Sequence, residues 1–253
     1  MSPHPDYGYP WWLTYGHLAL LAALVPVWLI ARARHWPRLL IISVAIVASW
    51  SAGAFLVARF ALNVNGPLAL PTERFLASGT GRVLDIGAGT GRSTVLVLDA
   101  RPRVTAVALD LFGQSFDQHF GRGESGVERL RANLHVAGVD ARATIQPGDM
   151  RRLPFSAATF DAAVSTYAMD HLRRDDSRAA LAEAARVLKP GGDFLLMVLE
   201  KDAWLNFTFG PFLAHGGTRG ASWWLESLRG AGFAVAESGT RPATLYFLAR
   251  KAH

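Results

Sequence analysis

The sequence predicts an α/β protein: a seven-stranded, mostly parallel sheet with its last strand antiparallel, preceded by a two-helix transmembrane hairpin. Three observations predict it. The first is a pair of uncharged apolar runs, Trp11–Ala31 and Leu39–Ala58. The second is the alternation of strand-like and helix-like segments from Arg82 onward, which implies a parallel sheet covered on both faces. The third is "VLDIGAGTGRST", Val83–Thr94, in which an apolar run gives way to three glycines at alternate positions and then to a helical pattern.

Each apolar run is about 20 residues, roughly the 30 Å that a helix needs to cross the hydrocarbon of a bilayer. A cleaved signal peptide calls for a basic start and one shorter apolar core. Here the start carries Asp6 and no Lys or Arg, and there are two runs. Core helices of a soluble protein show a polar face, and these show none. Trp11, Trp12 and Tyr15 suit one membrane interface and Trp36 the turn. The expected division is a hairpin over residues 1–62, with spans of about 11–31 and 39–58, a linker with a short helix over 63–81, and the α/β domain over 82–253. Ala45, Ser49 and Gly53 recur at four-residue spacing on the second run, which allows close approach of another helix. The first run is the expected partner, and a second copy of the chain, giving a homodimer, is the alternative.

The formal net charge is +6, of which +3 lies in the first sixty residues, from Arg32, Arg34, Arg38 and Arg59 against Asp6. The body carries only +3, short of the basic face that nucleic-acid binding prefers, so no nucleic-acid partner is expected. Contact with anionic lipid suits that charge equally well. There are no cysteines, which excludes disulfides, thiolate metal sites and a cysteine nucleophile.

Breakers "NGP" and "LPT" mark the linker, where Thr72 is expected to cap a short helix through Ala77. Beyond it, Val83–Ile86, Val104–Leu109, Ala143–Gln146, Phe160–Ser165 and Phe194–Leu199 read as buried strands. Helical patterns fill Arg92–Asp99, Val127–Val136 and Arg178–Leu188, the last two ending at Gly138 and Pro190. A helix around Trp223–Arg229 then precedes Phe233–Glu237 and Leu245–Ala249. The short turn between those two makes them antiparallel.

In an open α/β sheet, ligands bind outside the carboxyl ends of the strands. Gly87, Gly89 and Gly91 stand there, where a ligand meets bare backbone. Alone, G-x-G-x-G is a weak signal, close to the dinucleotide fingerprint without matching it. Asp110 ends the second strand 19 residues after Gly91, where a carboxylate can accept both hydroxyls of a ribose. Three further segments narrow the reading: "GDMRRLPF" (148–155), "FDAAVSTYAMDHL" (160–172) and "RVLKPGGDFLLMV" (186–198).

With these four motifs in this order, the chain from about Thr72 resembles the class I S-adenosylmethionine-dependent methyltransferases, in the branch that includes quinone C-methyltransferases. The resemblance implies a Rossmann-like fold and S-adenosyl-L-methionine as cofactor. It implies that Asp85 and the loop Gly87, Ala88, Gly89, Thr90 and Gly91 hold the methionine part. Asp110 would take the ribose hydroxyls, with Leu111 on the adenine. Asp149 would accept from the adenine amino group beside the Met150 backbone, and Thr166 and Tyr167 would close the floor near the sulfonium. "LKPGG" would be the turn into the fifth strand. The chemistry agrees: adenine needs an apolar slot with one acceptor, and a sulfonium needs acceptors that are not alkylated.

Methyl transfer is an in-line displacement served by alignment and exclusion of water, so a base is required only where the acceptor loses a proton. The fourth strand ends in "STYAMDH" rather than the Asn/Asp-Pro-Pro-aromatic turn of amino-directed enzymes. Candidates for a base are His171 with its neighbour Asp170 and, more weakly, His119 and His215. With Asp117 these residues make no compact metal-ligand spacing, and no metal is expected. The segment "LFGQSFDQHFGRGESG" (111–126), with three Phe, one His and four Gly, suits a cover over an apolar substrate. Trp204, Phe207, Phe209 and Phe212, after the fifth strand, suit an acceptor pocket, a bilayer contact or plain core.

The anchor makes most sense if the acceptor is a lipophilic small molecule or a lipid. The competing expectations are a protein or RNA acceptor, and a non-catalytic assembly module that only binds the cofactor. Three arginines in the turn against Arg59 and Arg74 after the second span would put the turn in the cytoplasm. Supply of the cofactor puts the catalytic domain there instead, and that argument governs because the charge bias is slight.

Overall fold

The computed structural model describes residues 4–113, 125–210 and 218–252. The chain forms two compact units, one of residues 9–66 with 201–214 and the other of residues 1–8, 67–200 and 215–253. Two stretches thus fall outside the division that chain order suggests. The first eight residues belong to the α/β unit, and the segment after the fifth strand belongs to the helical unit.

The helical unit is built on α1 (Trp12–Ala33) and α2 (Arg38–Leu56), the latter continued by a π-helical turn, Val57–Leu62. Pro37 starts α2, where its missing N–H leaves no helical bond unmade. Both helices are long and apolar enough to span a membrane, with mean hydropathies of 1.8 and 2.2. Their large side chains face outward: Leu39 is 79% exposed and Ile46 63%. The expected small-residue stripe is corrected in register. Ser49 is exposed, and the buried small residues are Ser51, Ala54 and Ala58. Gly53 serves a neighbour within the chain, since a Cβ there would stand 3.2 Å from Phe207. Phe207 lies on a short helix, Ala203–Phe209, capped by the Asp202 carboxylate, which accepts from the Leu205 N–H. That helix's last-turn carbonyls find partners in the hairpin. Trp50 Nε1 donates to Phe207 O at 2.9 Å, and His17 Nε2 lies 2.7 Å from Thr208 O.

The α/β unit holds seven strands: β1 (Thr80–Ile86), β2 (Arg103–Asp110), β3 (Ala143–Pro147), β4 (Phe160–Thr166), β5 (Leu188–Leu199), β6 (Phe233–Arg241) and β7 (Thr244–Lys251). Their order is β3-β2-β1-β4-β5-β7-β6. All neighbouring pairs are parallel except those of β7, which runs antiparallel to β5 and β6. The long apolar runs arise because the central strands are buried on both faces. One face of the sheet packs Leu84, Ile86, Phe160, Leu181 and Trp224 into a cluster, and the other packs Val83, Val97, Leu130 and Val164.

Helices α3 (Arg92–Ala100), α4 (Gly126–Val136), α5 (Arg174–Val187) and α7 (Ala221–Gly230) flank the sheet, and the Ala203–Phe209 helix is α6. Ser125 and Glu128 form a reciprocal capping box at the start of α4. The short helix expected from Thr72 is a run of turns instead. Thr72 Oγ1 donates to Glu237, Leu76 takes a left-handed φ of 46°, and the Leu76 N–H donates to Asp193 Oδ2 at 2.9 Å. Long-range partners replace the local ladder that a helix requires. "LKPGG" lies within β5 itself, which begins at Leu188 and shows a register shift against β4 beyond Phe160.

Asp193 also accepts from Arg250 Nε at 3.1 Å. Asp193→Ala leaves the buried Leu76 N–H unpaired and is expected to cost about 2 kcal/mol, read from urea unfolding of the full chain in detergent micelles.

Candidate functional site

The chain leaves β1 for β2 and β3 on one side and returns to β4 on the other, so the strand order reverses between β1 and β4. In open α/β sheets this switch point is where a crevice opens at the carboxyl ends. The residues after β1 and after β4 meet there. A Cβ on Gly87 would fall 2.4 Å from the Ala168 Cβ and 3.1 Å from Met150 Cε. Gly87 also holds a φ of 78°, so two constraints demand glycine. One glycine therefore brings three of the four motifs together.

The loop is tied to β2. The N–H groups of Gly87 and Ala88 donate to Leu109 O at 2.8 and 3.0 Å, and the Gly89 N–H donates to Asp110 Oδ2 at 2.8 Å. The other Asp110 oxygen accepts from the Leu111 N–H at 2.7 Å. Burial raises the Asp110 pKa, against the lowering pull of these backbone donors. Leu111 stands beside it, 59% exposed, as an apolar wall. Gly91 begins α3 with a φ of 93°, and a Cβ there would strike Leu130 of α4 at 2.5 Å.

Asp85 lies behind the loop. Its side chain has no exposed surface, and its oxygens accept from Ser93 Oγ at 2.7 and 2.9 Å and from Thr94 Oγ1. Burial pushes its pKa up to about 7, partly offset by those hydroxyls, with the Asp110 charge adding to the rise. The carboxylate thus braces the start of α3 from within. Asp149 is engaged differently: Arg151 holds it through Nε at 3.0 Å and Nη2 at 2.7 Å, and the Arg151 N–H also donates to it. This guanidinium lowers the Asp149 pKa. Arg151 was not among the sequence candidates, although it stands two residues along in the same motif. Next to it, Glu183 and Arg186 fix "LPF": Glu183 accepts from the Leu153 N–H, and Arg186 donates to Leu153 O and Phe155 O.

At the end of β4, Thr166 is buried and Tyr167 has a φ of 51°. The Tyr167 N–H donates to Met197 O at 2.8 Å, and its hydroxyl lies 2.6 Å from Thr244 Oγ1, toward β7. Asp170 and His171 sit on one 3-10 turn in unlike surroundings. Asp170 is buried, with Oδ2 accepting from the Leu199 N–H at 3.2 Å, while His171 is exposed. Asp170 Oδ1 is buried with no hydrogen-bond partner among the described residues. Arg219, a residue that sequence reasoning missed, donates to Leu172 O and to Ser177 Oγ and stacks 4.6 Å from the Trp223 ring centre. Burial lowers its pKa, and the Asp170 charge opposes that fall. Asp117, His119, Phe212 and His215 lie outside the described residues, as does most of the 111–126 segment.

Residues 83–192 match the family model described as a methyltransferase domain. The ubiquinone/menaquinone biosynthesis C-methyltransferase UbiE of Syntrophotalea carbinolica is 31% identical over 139 residues, 54% of this chain and 52% of that protein. The sterol 4-C-methyltransferase strm-1 of Caenorhabditis elegans is 30% identical over 129 residues, 51% of this chain and 34% of that protein. The chain therefore spans about half the length, or less, of these curated relatives. Among solved structures, an O-methyltransferase family protein from Burkholderia thailandensis aligns with a TM-score of 0.58 at 16% identity, over 95% of this chain and 71% of that one. That likeness concerns the fold.

Two outcomes follow from the geometry. Gly87→Ala is expected to abolish the thermal stabilisation that S-adenosylhomocysteine gives the protein, read as its melting-temperature shift. The folded Asp85 pKa lies above its unfolded value of 3.8, so its contribution is full below that value and is lost as pH rises through about 7. Between pH 5 and 8 the protein should lose on the order of 2 kcal/mol more than Asp85→Asn does, measured by urea unfolding at both pH values.

Proposed function

We infer that the chain is a membrane-anchored class I S-adenosylmethionine-dependent methyltransferase, one that transfers a methyl group from S-adenosyl-L-methionine to a lipophilic small molecule or lipid. The observation that carries the acceptor class is the outward-facing apolar surface of α1 and α2, with Leu39, Ile46 and Leu29 more than half exposed. Water does not tolerate such a surface on this scale, and a bilayer does. The named activities of the relatives, on quinones and a sterol, point the same way. The catalytic domain faces the cytoplasm, where the cofactor is made.

The residues present suit the cofactor. Gly87 leaves bare backbone at the crevice, Asp110 offers a carboxylate for the ribose hydroxyls, and Leu111 and Met150 supply apolar surface for the adenine. When bound, the cofactor supplies an electrophilic methyl group on a sulfonium. The work of the chain is then alignment and dryness. Asp149, already held by Arg151, is a fixed acceptor rather than a mobile one. Thr166 and Tyr167 form the floor, with the Tyr167 hydroxyl anchored on Thr244. Asp170, whose buried Oδ1 has no hydrogen-bond partner among the described residues, takes a proton or a polar hydrogen from the acceptor. His171, exposed on the same turn, serves as the relay outward.

The test is to incubate membranes holding the protein with cofactor carrying a labelled methyl group. Label in the organic extract is expected, and label confined to precipitated protein or RNA overturns the acceptor class. Asp170→Asn should lower kcat at least about a hundredfold, the low end of general-base effects, with cofactor affinity unchanged by calorimetry.

A further inference from the structure

The first residues of the chain hold the glycine loop from outside. Asn133, on α4, is 3% exposed, and its amide brackets the Asp6 peptide. Asn133 Oδ1 accepts from the Asp6 N–H at 2.8 Å, and Nδ2 donates to Asp6 O at 2.9 Å. The second Nδ2 hydrogen goes to Thr90 O at 2.8 Å, within the loop. Thr90 Oγ1 donates in turn to Tyr7 O at 3.0 Å. The Tyr7 side chain is 2% exposed, and the Arg92 guanidinium lies 5.9 Å from its ring centre. The Thr90 hydroxyl is therefore bonded to a strap that precedes the first apolar helix, and the Thr90 carbonyl to the Asn133 side chain that brackets the same strap.

A five-residue loop with three glycines loses more backbone freedom on ordering than almost any other composition. Bonds that fix it beforehand remove that cost from ligand binding. Because the peptide unit is planar, holding Thr90 O also sets the direction of the Gly91 N–H, which donates to Ala88 O at 2.8 Å. The strap is itself short. Three residues beyond Asp6, the Tyr9 peptide is bracketed in the same manner by Asn65, at 3.3 and 3.0 Å. Only Tyr7 and Gly8 stand between the two brackets.

We propose that Asp6–Tyr7 and Asn133 form a cofactor-positioning element, through which the segment leading into the anchor sets the affinity of the glycine loop for the methyl donor. Asn133 is a positioning residue that acts through Thr90. The inference rests on the reading of Gly87–Gly91 as the cofactor loop.

The experiment uses the full chain in lipid nanodiscs and S-adenosylhomocysteine as the probe. Asn133→Ala should weaken binding about tenfold, the effect of one or two lost buried hydrogen bonds, and Tyr7→Ala should weaken it comparably by removing the buried ring that seats the Tyr7 carbonyl against Thr90. In turnover, Asn133→Ala should raise the KM for the cofactor while leaving kcat at saturating cofactor unchanged, a split that general destabilisation does not produce. The probe should also slow hydrogen exchange at the amides of residues 6–8 in the unsubstituted protein, a readout that needs no variant to fold. Equal affinity in folded Asn133→Ala and Tyr7→Ala, or exchange at residues 6–8 indifferent to the probe, overturns the strap. Failure of the unsubstituted chain to bind the probe would overturn the loop reading itself.

Discussion

The contact of Gly87 with Ala168 is the constraint on which the site depends. No side chain fits between them, so the loop after β1 lies directly against the turn after β4. That contact is possible only because the sheet order brings β1 and β4 side by side at the point of reversal. Everything else at the carboxyl edge is fastened around it. β2 supplies Leu109 O and the Asp110 carboxylate to the loop, Ser165 Oγ donates to Ile86 O, and the Asp170 turn is held to the end of β5. Polar groups here are mostly committed to holding backbone in place, which is what a site that works by alignment requires.

The helical unit follows a different logic. Its helices have no polar face and no buried apolar core of their own size, and their association rests on small residues and a few polar side chains. His17 and Trp50 donate or pair with carbonyls at the end of α6, which a short helix leaves unsatisfied. In a medium without water these are the groups that would otherwise cost most. The segment carrying Trp204 and Phe207 thus groups with the hairpin.

The architecture was legible because burial on both faces writes strands as continuous apolar runs, and glycine and proline mark their ends. The seven strands and their one antiparallel member follow from that pattern. The turns at 73–78 were not legible: Leu76 gives up its helical bond for Asp193, a residue 117 positions away. The small-residue stripe was misjudged for a related reason, since on an apolar helix any face looks alike until a partner is chosen. At the site, the motifs put Asp110 and the glycines at the carboxyl ends of the strands, which is where the structure has them. They could not tell that Asp85 would turn inward to Ser93 and Thr94, or that Arg151 would occupy Asp149. The strap from Asp6 and Tyr7 left no trace in local pattern, because it joins segments separated by both apolar helices.

The proposed function requires that the crevice at the β1–β4 switch point take an adenosyl sulfonium held through Asp110. Titration calorimetry of the purified chain with S-adenosylmethionine addresses this most directly, with Asp110→Ala alongside. One-to-one binding that the substitution removes is the expected result. Absence of binding by the unsubstituted chain, or equal binding by both, contradicts it.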